Sequence, residues 1–288
     1  MKIIVTGSGG WEGTPSPFCD CRVCSAAKRE PTGVEARMKP GFFVQTPTGQ
    51  FFLEASIDFR AQISRFDLPA ASDFLISHWH FDHMYGLFDL GAWVELRMKR
   101  EVTVHGSRET IARVKTNIGH IAFKTRELAP FETFLLAGVR VTPVPVHHMH
   151  AQDTRDPGSM AQNVFGYVLE ADGFRVVYLA DYYSLPEETV DFVQGAHVVI
   201  ADGTYLGEDH FPKDPYHAAL TSDLDHLHGE AIFRELSRLR AKKYVFFSLT
   251  HLGALRHSEM QQLLPPDMHL SFDGMVISKG SDYASYPA

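Results

Sequence analysis

Apolar residues recur with two different spacings along this chain, and each spacing predicts a different element. The segments FFVQTPTGQFFLEA (42–55) and NVFGYVLEADGFRVVYLAD (163–181) each contain two strand-like runs separated by a glycine-containing turn, which predicts a β-hairpin in each. The segments 84–100 and 228–243 place apolar residues three and four positions apart and end in basic residues, which predicts amphipathic helices. Hairpins in each half, with helices between them, indicate an α/β fold of two sheets packed face to face with helices outside.

Composition limits the architecture and the class of partner. With 288 residues and 44% hydrophobic content, the chain can bury a large core, and we expect a single domain over residues 1–288. No apolar run reaches the ~20 residues that cross a bilayer, and the first residues lack a signal-peptide pattern, so a cytoplasmic protein without a membrane partner is expected. The net charge of -8, without a basic block, disfavours a stable nucleic-acid partner. We expect a small-molecule substrate. The oligomeric state stays open, with a homodimer as one alternative.

All three cysteines fall within the short segment PFCDCRVC, as Cys19, Cys21 and Cys24. An odd number of cysteines without an export signal argues against a disulfide framework. The C-x-C-x2-C spacing instead suits a tight loop that presents three thiolates to one tetrahedral zinc, with the fourth ligand supplied from elsewhere. The alternative is three thiols without a metal, but their clustering favours a structural zinc site.

A second cluster follows the apolar run DFLIS, in the segment LISHWHFDHMYG (75–86). His78, His80, Asp82 and His83 are expected on the turn between a buried strand and a helix, where a rigid scaffold can aim several side chains at one point. Imidazoles and a carboxylate are suitable ligands for zinc, manganese or iron, and four of them can supply parts of two adjacent sites. The alternative, a hydrogen-bonded histidine-rich turn, would not need this spacing.

The segment SHWHFDH resembles the H-x-H-x-D-H signature of the metallo-β-lactamase superfamily, which implies an αββα sandwich with a one- or two-metal centre. The resemblance extends to three later strand ends in VTPVPVHHMH, VVYLADYYSLP and VFFSLTH. By position, it implies that one divalent ion is bound by His78, His80 and His148, that the other is bound by Asp82, His83 and His251, and that Asp181 bridges them. His147 and His150 are rivals for the place of His148. Either zinc or manganese fits this set.

From VTGSGG through CDCRVC to SFDGMVI, the whole chain resembles the PhnP family of phosphoribosyl cyclic phosphodiesterases. The resemblance implies that a histidine before the penultimate helix contacts the phosphate, and His226 in SDLDHLHGEAIFREL matches it, with His228 as the weaker candidate. A histidine there could protonate the departing oxygen. The residues expected to take part in catalysis are therefore Asp82, Asp181 and His226. A helix-capping segment without a catalytic role is the alternative for His226.

Some positions depart from the family pattern. Glu54 stands where the family has an aspartate before the first helix, and Ala254 stands where the fourth ligand of the cysteine zinc is usually a histidine. His257 is the nearest replacement as the fourth ligand, although it would need a locally different backbone path. Two alternatives stay open: the zinc uses another ligand, or it is absent. The connection after His148, up to residue 163, is longer than in typical relatives, and a changed lid there would imply a changed substrate.

Taken together, the sequence predicts a metal-dependent phosphodiesterase acting on a small cyclic or nucleotide-like phosphate ester. Hydrolysis of an ester, thioester or lactone, as in glyoxalase II relatives, is the first alternative. A non-hydrolytic protein like PqqB, which shares a similar cysteine loop, is another. RNA processing as in RNase Z is disfavoured by the acidic charge balance, and β-lactam hydrolysis is disfavoured by Asp181 at the bridging position.

Overall fold

The computed structural model describes residues 1–98, 101–148, 163–207, 226–281 and 283, and within these ranges the chain forms two seven-stranded sheets. The first sheet contains, in spatial order, β14 (Val276–Ser278), β1 (Lys2–Gly7), β2 (Gly41–Thr46), β3 (Gly49–Leu53), β4 (Asp73–Leu75), β5 (Thr103–Gly106) and β6 (Lys124–Glu127). The second contains β13 (Met268–Leu270), β12 (Tyr244–Phe247), β11 (Val198–Asp202), β10 (Phe174–Tyr178), β9 (Phe165–Ala171), β8 (Val139–Pro145) and β7 (Phe134–Leu136).

Helices connect the strands at both outer faces. The α-helices are α1 (Arg22–Arg29), α2 (Phe59–Phe66), α3 (Phe81–Met84), α4 (Arg108–Asn117), α5 (Glu187–Val193), α6 (Glu230–Ser237) and α7 (His257–Leu263). A 3-10 segment, Tyr85–Leu90, and a π-helical segment, Trp93–Met98, follow α3. Within the described ranges, no helix has the length and apolar character needed to cross a lipid bilayer.

Both predicted hairpins are present. Strands β2 and β3 pair antiparallel, as do β9 and β10. Strands β3 to β6 pair in parallel in the first sheet, and β10 to β13 do so in the second. Strand β8 is antiparallel to β9 and therefore runs in the same direction as β10. The carboxyl ends of β8, β10, β11 and β12 thus meet at one edge of the second sheet.

The core lies between the two sheets. Phe42 of the first sheet packs edge-on against Tyr178 and Phe247 of the second, with ring centroids 5.2 and 5.3 Å apart. These three aromatic side chains are completely buried. Separate apolar clusters seat α2 and α4 on the outer face of the first sheet, and α5 and α6 on that of the second. The order of layers is therefore the αββα sandwich that the sequence predicts.

The helix predicted over residues 84–100 is replaced by short segments of three kinds. Gly86 explains the interruption, because its amide donates to the carbonyl of Ala55 at 2.8 Å. A Cβ atom built on Gly86 would lie 1.9 Å from the backbone oxygen of Ser56. Tertiary contact with the segment after β3 therefore decides the local backbone path here. The helix predicted over 228–243 is also shorter, since α6 spans only Glu230–Ser237.

Candidate metal centre

The first ligands come from the junction of β4 and α3. His78 follows the strand closely, and His80 adopts an extended conformation as the N-cap of α3. The amides of His83 and Met84 both donate to the carbonyl of His80, at 3.1 and 3.0 Å. Asp82 and His83 consequently lie in the first turn of α3, not on the connecting turn that the sequence predicts. The helical turn directs both side chains into the buried interior, where they are 4% and 0% exposed.

Four side chains make up what we call the first donor group: His78, His80, His148 and Asp181. Their candidate ligand atoms all lie within 4.8 Å of one another. The ring centroids of His78 and His80 are 4.2 Å apart, and Nε2 of His148 lies 3.5 Å from Nδ1 of His80. Three imidazoles and one carboxylate at this spacing match the donors that zinc and similar divalent ions prefer.

The second donor group consists of Asp82, His83 and Asp181, again with ligand atoms within 4.8 Å of one another. Nε2 of His83 lies 3.4 Å from a carboxylate oxygen of Asp181 and 3.6 Å from one of Asp82. The two donor groups therefore share Asp181. This arrangement suits a carboxylate that bridges two ions.

Buried polar atoms without hydrogen-bond partners indicate whether the two donor groups suit a cation. Nε2 of His78, Nε2 of His83 and Oδ1 of Asp181 are buried, and none has a hydrogen-bond partner within the described part of the chain. Buried polar groups without partners are costly, so proteins normally satisfy them with hydrogen bonds or with a metal. The donors at this edge thus fit divalent ions.

Electrostatics at the donor groups couple metal binding to protons. Burial and the adjacent charge of His83 lower the pKa of His78 well below its ordinary value. Burial opposes charge on His83 itself, but the carboxylates of Asp181, Asp82 and Glu54 outweigh it and raise the pKa of His83 well above its ordinary value. Burial raises the pKa of Asp82 to about 6. Metal binding at the second donor group must therefore displace a proton.

Glu54 supports this group from behind. It follows β3, is 1% exposed and holds a positive φ of 66°. Its carboxylate accepts from the amide of Ser77 at 3.3 Å, and Oε2 lies 3.5 Å from Nδ1 of His83. A carboxylate beside the second ring nitrogen fixes the orientation and tautomer of a metal-binding histidine. Glu54 is thus placed to orient the ring of His83 through the charge of its carboxylate.

His251 lies with the cysteines and not with Asp82 and His83. Its Nδ1 is 3.6 Å from Sγ of both Cys19 and Cys21, and the candidate ligand atoms of the three cysteines and His251 lie within 4.8 Å of one another. We call these four residues the cysteine group. Nε2 of His251 pairs with Oε2 of Glu12 at 2.7 Å. The structure therefore corrects the prediction that His251 binds the second active-site ion.

The reason is a long-range backbone contact after β12. The amide of Leu249 donates to the carbonyl of Ser8 at 3.0 Å, and the amide of Gly10 donates back to Leu249 at 3.2 Å. This bridge places His251, two residues after Leu249, against the loop that carries the cysteines. Burial opposes ionisation of Cys21, but hydrogen bonds from the Cys24 amide and His251 lower the Cys21 pKa to about 7. A thiolate at neutral pH favours zinc binding.

His257 is not the fourth ligand that the sequence predicts for the cysteines. It begins α7, where its Nδ1 lies 2.7 Å from Nη2 of Arg37 and its amide donates to the Glu35 carboxylate. His257 is 3% exposed, and burial together with the charge of Arg37 lowers its pKa to about 2. A neutral imidazole that accepts from Arg37 is a structural element, and His251 is the histidine within reach of the sulfur atoms.

Sequence reasoning missed Asp202. It ends β11, and its Oδ2 pairs with Nδ1 of His226 at 2.5 Å. Its Oδ1 accepts from the amide and hydroxyl of Thr204 at 2.9 and 2.7 Å. Candidate ligand atoms of Asp181, Asp202 and His226 lie within 4.8 Å of one another, so His226 is at the edge of the centre. The segment VVIAD, which ends in Asp202, carries the same signal as VVYLAD, which ends in Asp181. In both, a buried apolar run ends in a carboxylate.

The rivals of His148 have separate outcomes. His147 turns toward Ser184, with Nδ1 2.7 Å from the hydroxyl oxygen, and it is in none of the donor groups. His150 and residues 149–162 of the long connection lie outside the described residues. His228, the weaker candidate for the phosphate, stacks on Tyr205 with centroids 4.4 Å apart.

Comparison with known proteins identifies the superfamily of this chain. A family model described as a beta-lactamase superfamily domain matches residues 50–251. An octanoyltransferase of Porphyromonas gingivalis is 23% identical over 286 residues, which cover 96% of this chain and 51% of the relative. The chain thus spans about half the length of that enzyme.

Two solved structures share the fold over nearly the whole chain. A new diphosphatase from the PhnP family superposes with a TM-score of 0.77 at 24% identity, covering 96% of both chains. Zinc-bound PqqB from Methylobacterium extorquens superposes with a TM-score of 0.79 at 22% identity, covering 97% of this chain and all of the other. At these identities the likeness establishes the fold.

Proposed function

Because this chain belongs to the beta-lactamase superfamily, with the metallo-β-lactamase fold, we propose that it is a metal-dependent phosphodiesterase. Its substrate would be a small cyclic or nucleotide-like phosphate ester, and no membrane or nucleic-acid partner is required. The main observation in support of this proposal is that the two donor groups lie side by side and share the buried Asp181, next to His226. Similarity to a PhnP-family diphosphatase supports phosphate chemistry.

The donor groups account for the requirement for metal. His78, His80 and His148 would hold one ion and Asp82 and His83 the other, with Asp181 between them. When bound, divalent ions supply Lewis acidity and lower the pKa of a water molecule towards 7. Glu54 keeps His83 oriented through Nδ1, at 3.5 Å. Burial leaves charges at this edge poorly screened, so the positive charge that bound divalent ions would supply there would attract an anionic substrate strongly.

The Asp202–His226 pair supplies the proton for the leaving group. In hydrolysis, a P–O bond forms to the oxygen of water while the ester P–O bond breaks, and the departing alkoxide must gain a proton. Asp202 holds Nδ1 of His226 at 2.5 Å, so a protonated ring would donate from Nε2. The Asp202 carboxylate stabilises the charged ring before transfer. His226 is 14% exposed at its side chain, which leaves access from the solvent side.

A second candidate rests on the cysteine group. The likeness to zinc-bound PqqB covers nearly the whole chain, and a PqqB-like protein is therefore the second candidate, for which we would expect no hydrolysis. Hydrolysis of a thioester or lactone would use the same donors. Substrates of all three kinds must therefore be compared on one preparation.

The experiment measures hydrolysis of bis-(p-nitrophenyl) phosphate with manganese or zinc, in parallel with a thioester and a lactone. We expect phosphodiester hydrolysis that Asp181→Ala abolishes, since both donor groups lose their shared carboxylate. Asp191→Ala, at an exposed carboxylate on α5, is the matched control and should retain activity. Full activity in Asp181→Ala would refute the assignment, and activity only on the thioester or lactone would replace the substrate class.

A further inference from the structure

Two exposed aromatic side chains lie next to the donor groups. Phe81 is the residue between His80 and Asp82, and its side chain is 41% exposed. Trp11, in the loop after β1, is 49% exposed. Their ring centroids are 6.4 Å apart, and the ring planes meet at 83°. We call these two residues the aromatic pair. Because they meet edge to face, each ring keeps at least one face that the other does not cover.

Helix geometry directs Phe81 to the solvent side. Successive residues of a helix are rotated by about 100°. Asp82 and His83 point inward, at 4% and 0% exposure, so the preceding residue faces outward. His80 is half-buried, whereas the other three members of the first donor group are buried. The open side of that group is therefore the side of His80, next to Phe81.

Trp11 stands on a loop that is fixed on both sides. The amide of Gly13 donates to the carbonyl of Gly10 at 2.9 Å, which closes a turn around Trp11, and Gly10 is bonded in turn to the segment after β12. The neighbouring Glu12 pairs with Nε2 of His251 at 2.7 Å. This loop thus loses little conformational freedom when a ligand contacts the indole ring, which favours binding.

One exposed apolar side chain needs no explanation, since apolar atoms contribute more than half of a protein surface. Two adjoining rings with open faces beside the donor groups favour a particular kind of ligand. An ester whose phosphate lies at the donor groups directs its other substituents to the open side, where the aromatic pair lies. Stacking of a planar base on an aromatic side chain strengthens binding about 5- to 100-fold, which a saturated substituent does not gain.

We infer that the aromatic pair is the subsite for a planar π group of the substrate, such as a nucleobase, and that it selects nucleotide-like esters over esters without a base. This inference rests on the proposed function, since it concerns the substrate of the same centre. Trp11 and Phe81 take no part in bond breaking. They determine specificity by holding the part of the substrate that does not react.

The test compares 2′,3′-cyclic AMP with 1-O-methylribose 2,3-cyclic phosphate, an ester that lacks the base, on the full-length protein with manganese. The readout is the ratio of kcat/KM for the nucleotide to kcat/KM for the ester without a base. We expect a ratio of at least about 5 in the wild type. Trp11→Leu and Phe81→Leu keep apolar bulk but lose a ring, so each should lower the ratio. Phe192→Leu, at an exposed ring on α5, is the matched control and should keep the wild-type ratio.

The change should appear in KM more than in kcat, because contacts remote from the reacting atoms bind the ground state and the transition state alike. A ratio near unity in the wild type, or the wild-type ratio in both leucine variants, would overturn the inference. So would an equal fall of kcat/KM for both esters, since the rings would then act on the centre itself. Self-association in sedimentation that Trp11→Leu abolishes would also overturn it, by showing a contact between two copies.

Fluorescence separates this inference from the proposed function, because it needs no turnover. Adenosine 5′-monophosphate should quench the emission of Trp11 in the manganese-loaded protein. Trp11→Phe should lose that quenching but keep the kcat/KM ratio, with Trp79 and Trp93 as the background emission. Quenching in a protein that hydrolyses no diester would refute only the proposed function. An active phosphodiesterase without quenching and without a preference for the base would refute only this inference.

Discussion

Replacing His257 by glutamine tests whether this residue is a neutral, buried partner of Arg37. The side chain is 3% exposed, and Nδ1 accepts from Arg37 at 2.7 Å. Burial and the Arg37 charge lower the pKa of His257 to about 2. The unfolded chain would bind a proton near the ordinary value of about 6.5. Stability from the neutral ring is therefore complete above about pH 6.5 and is lost as the pH falls towards 2.

The size of this loss follows from proton linkage. Below about pH 6.5 the unfolded state holds one proton more than the folded state at this residue, so the free energy of unfolding decreases by about 1.4 kcal/mol per pH unit. At pH 4.5, two units below the unfolded pKa, the loss reaches about 2.7 kcal/mol. His257→Gln keeps an acceptor for Arg37 but removes the titrating ring. The acid limb of the pH profile of this variant, which is the fall in the free energy of unfolding below about pH 6.5, should therefore be smaller by about 2.7 kcal/mol at pH 4.5.

The assay is denaturant unfolding of the wild-type protein and of His257→Gln between pH 7.5 and 4.5. The difference between their free energies of unfolding is taken at each pH. Zinc content should be unchanged in His257→Gln and reduced in His251→Ala, because only the second residue lies at the cysteines. His120→Gln, at an exposed ring, is the control and should leave the acid limb unchanged. Parallel pH profiles for wild type and His257→Gln, or zinc loss in His257→Gln, would refute the reasoning.

Two further substitutions test the catalytic pair and the backbone beside the centre. Asp202→Asn should lower kcat by about 100-fold, near the lower end for a lost general acid, because the His226 ring loses the charge that stabilises its protonated form. The manganese content of the same samples should not change. An unaltered kcat would exclude the Asp202–His226 pair from proton transfer. Gly86→Ala should lower the free energy of unfolding by about 1–3 kcal/mol in denaturant titrations, because the new Cβ would lie 1.9 Å from the Ser56 carbonyl oxygen. An unchanged midpoint of the denaturant transition would contradict that contact.

What the sequence could predict depended on signals local to each segment. The H-x-H-x-D-H cluster and the carboxylate of Asp181 each follow a buried strand, and strand ends at a common edge bring such groups together. Asp202 carries the same signal and was predictable on that ground. The hairpins were predictable because turn residues and strand residues are contiguous in sequence.

The position of His251 was not predictable in this way. Its placement depends on the contact between Leu249 and Ser8, which are remote in sequence, and spacing alone does not indicate which of two metal sites a histidine joins. The interrupted helix after α3 has a similar origin. The apolar periodicity is present, but the close approach of Gly86 to Ser56 overrides it.

A metal in the cysteine group would act as a covalent-like clasp between distant parts of the polypeptide. Cys21 and His251 are separated by 230 positions, and they flank strands of different sheets. Closing a loop of that length removes conformational freedom from the unfolded chain equivalent to about 5 kcal/mol by the chain-entropy relation for cross-links. Chelation would therefore loosen the N-terminal strand and β12 together, and the two layers of the sandwich would lose a common tether.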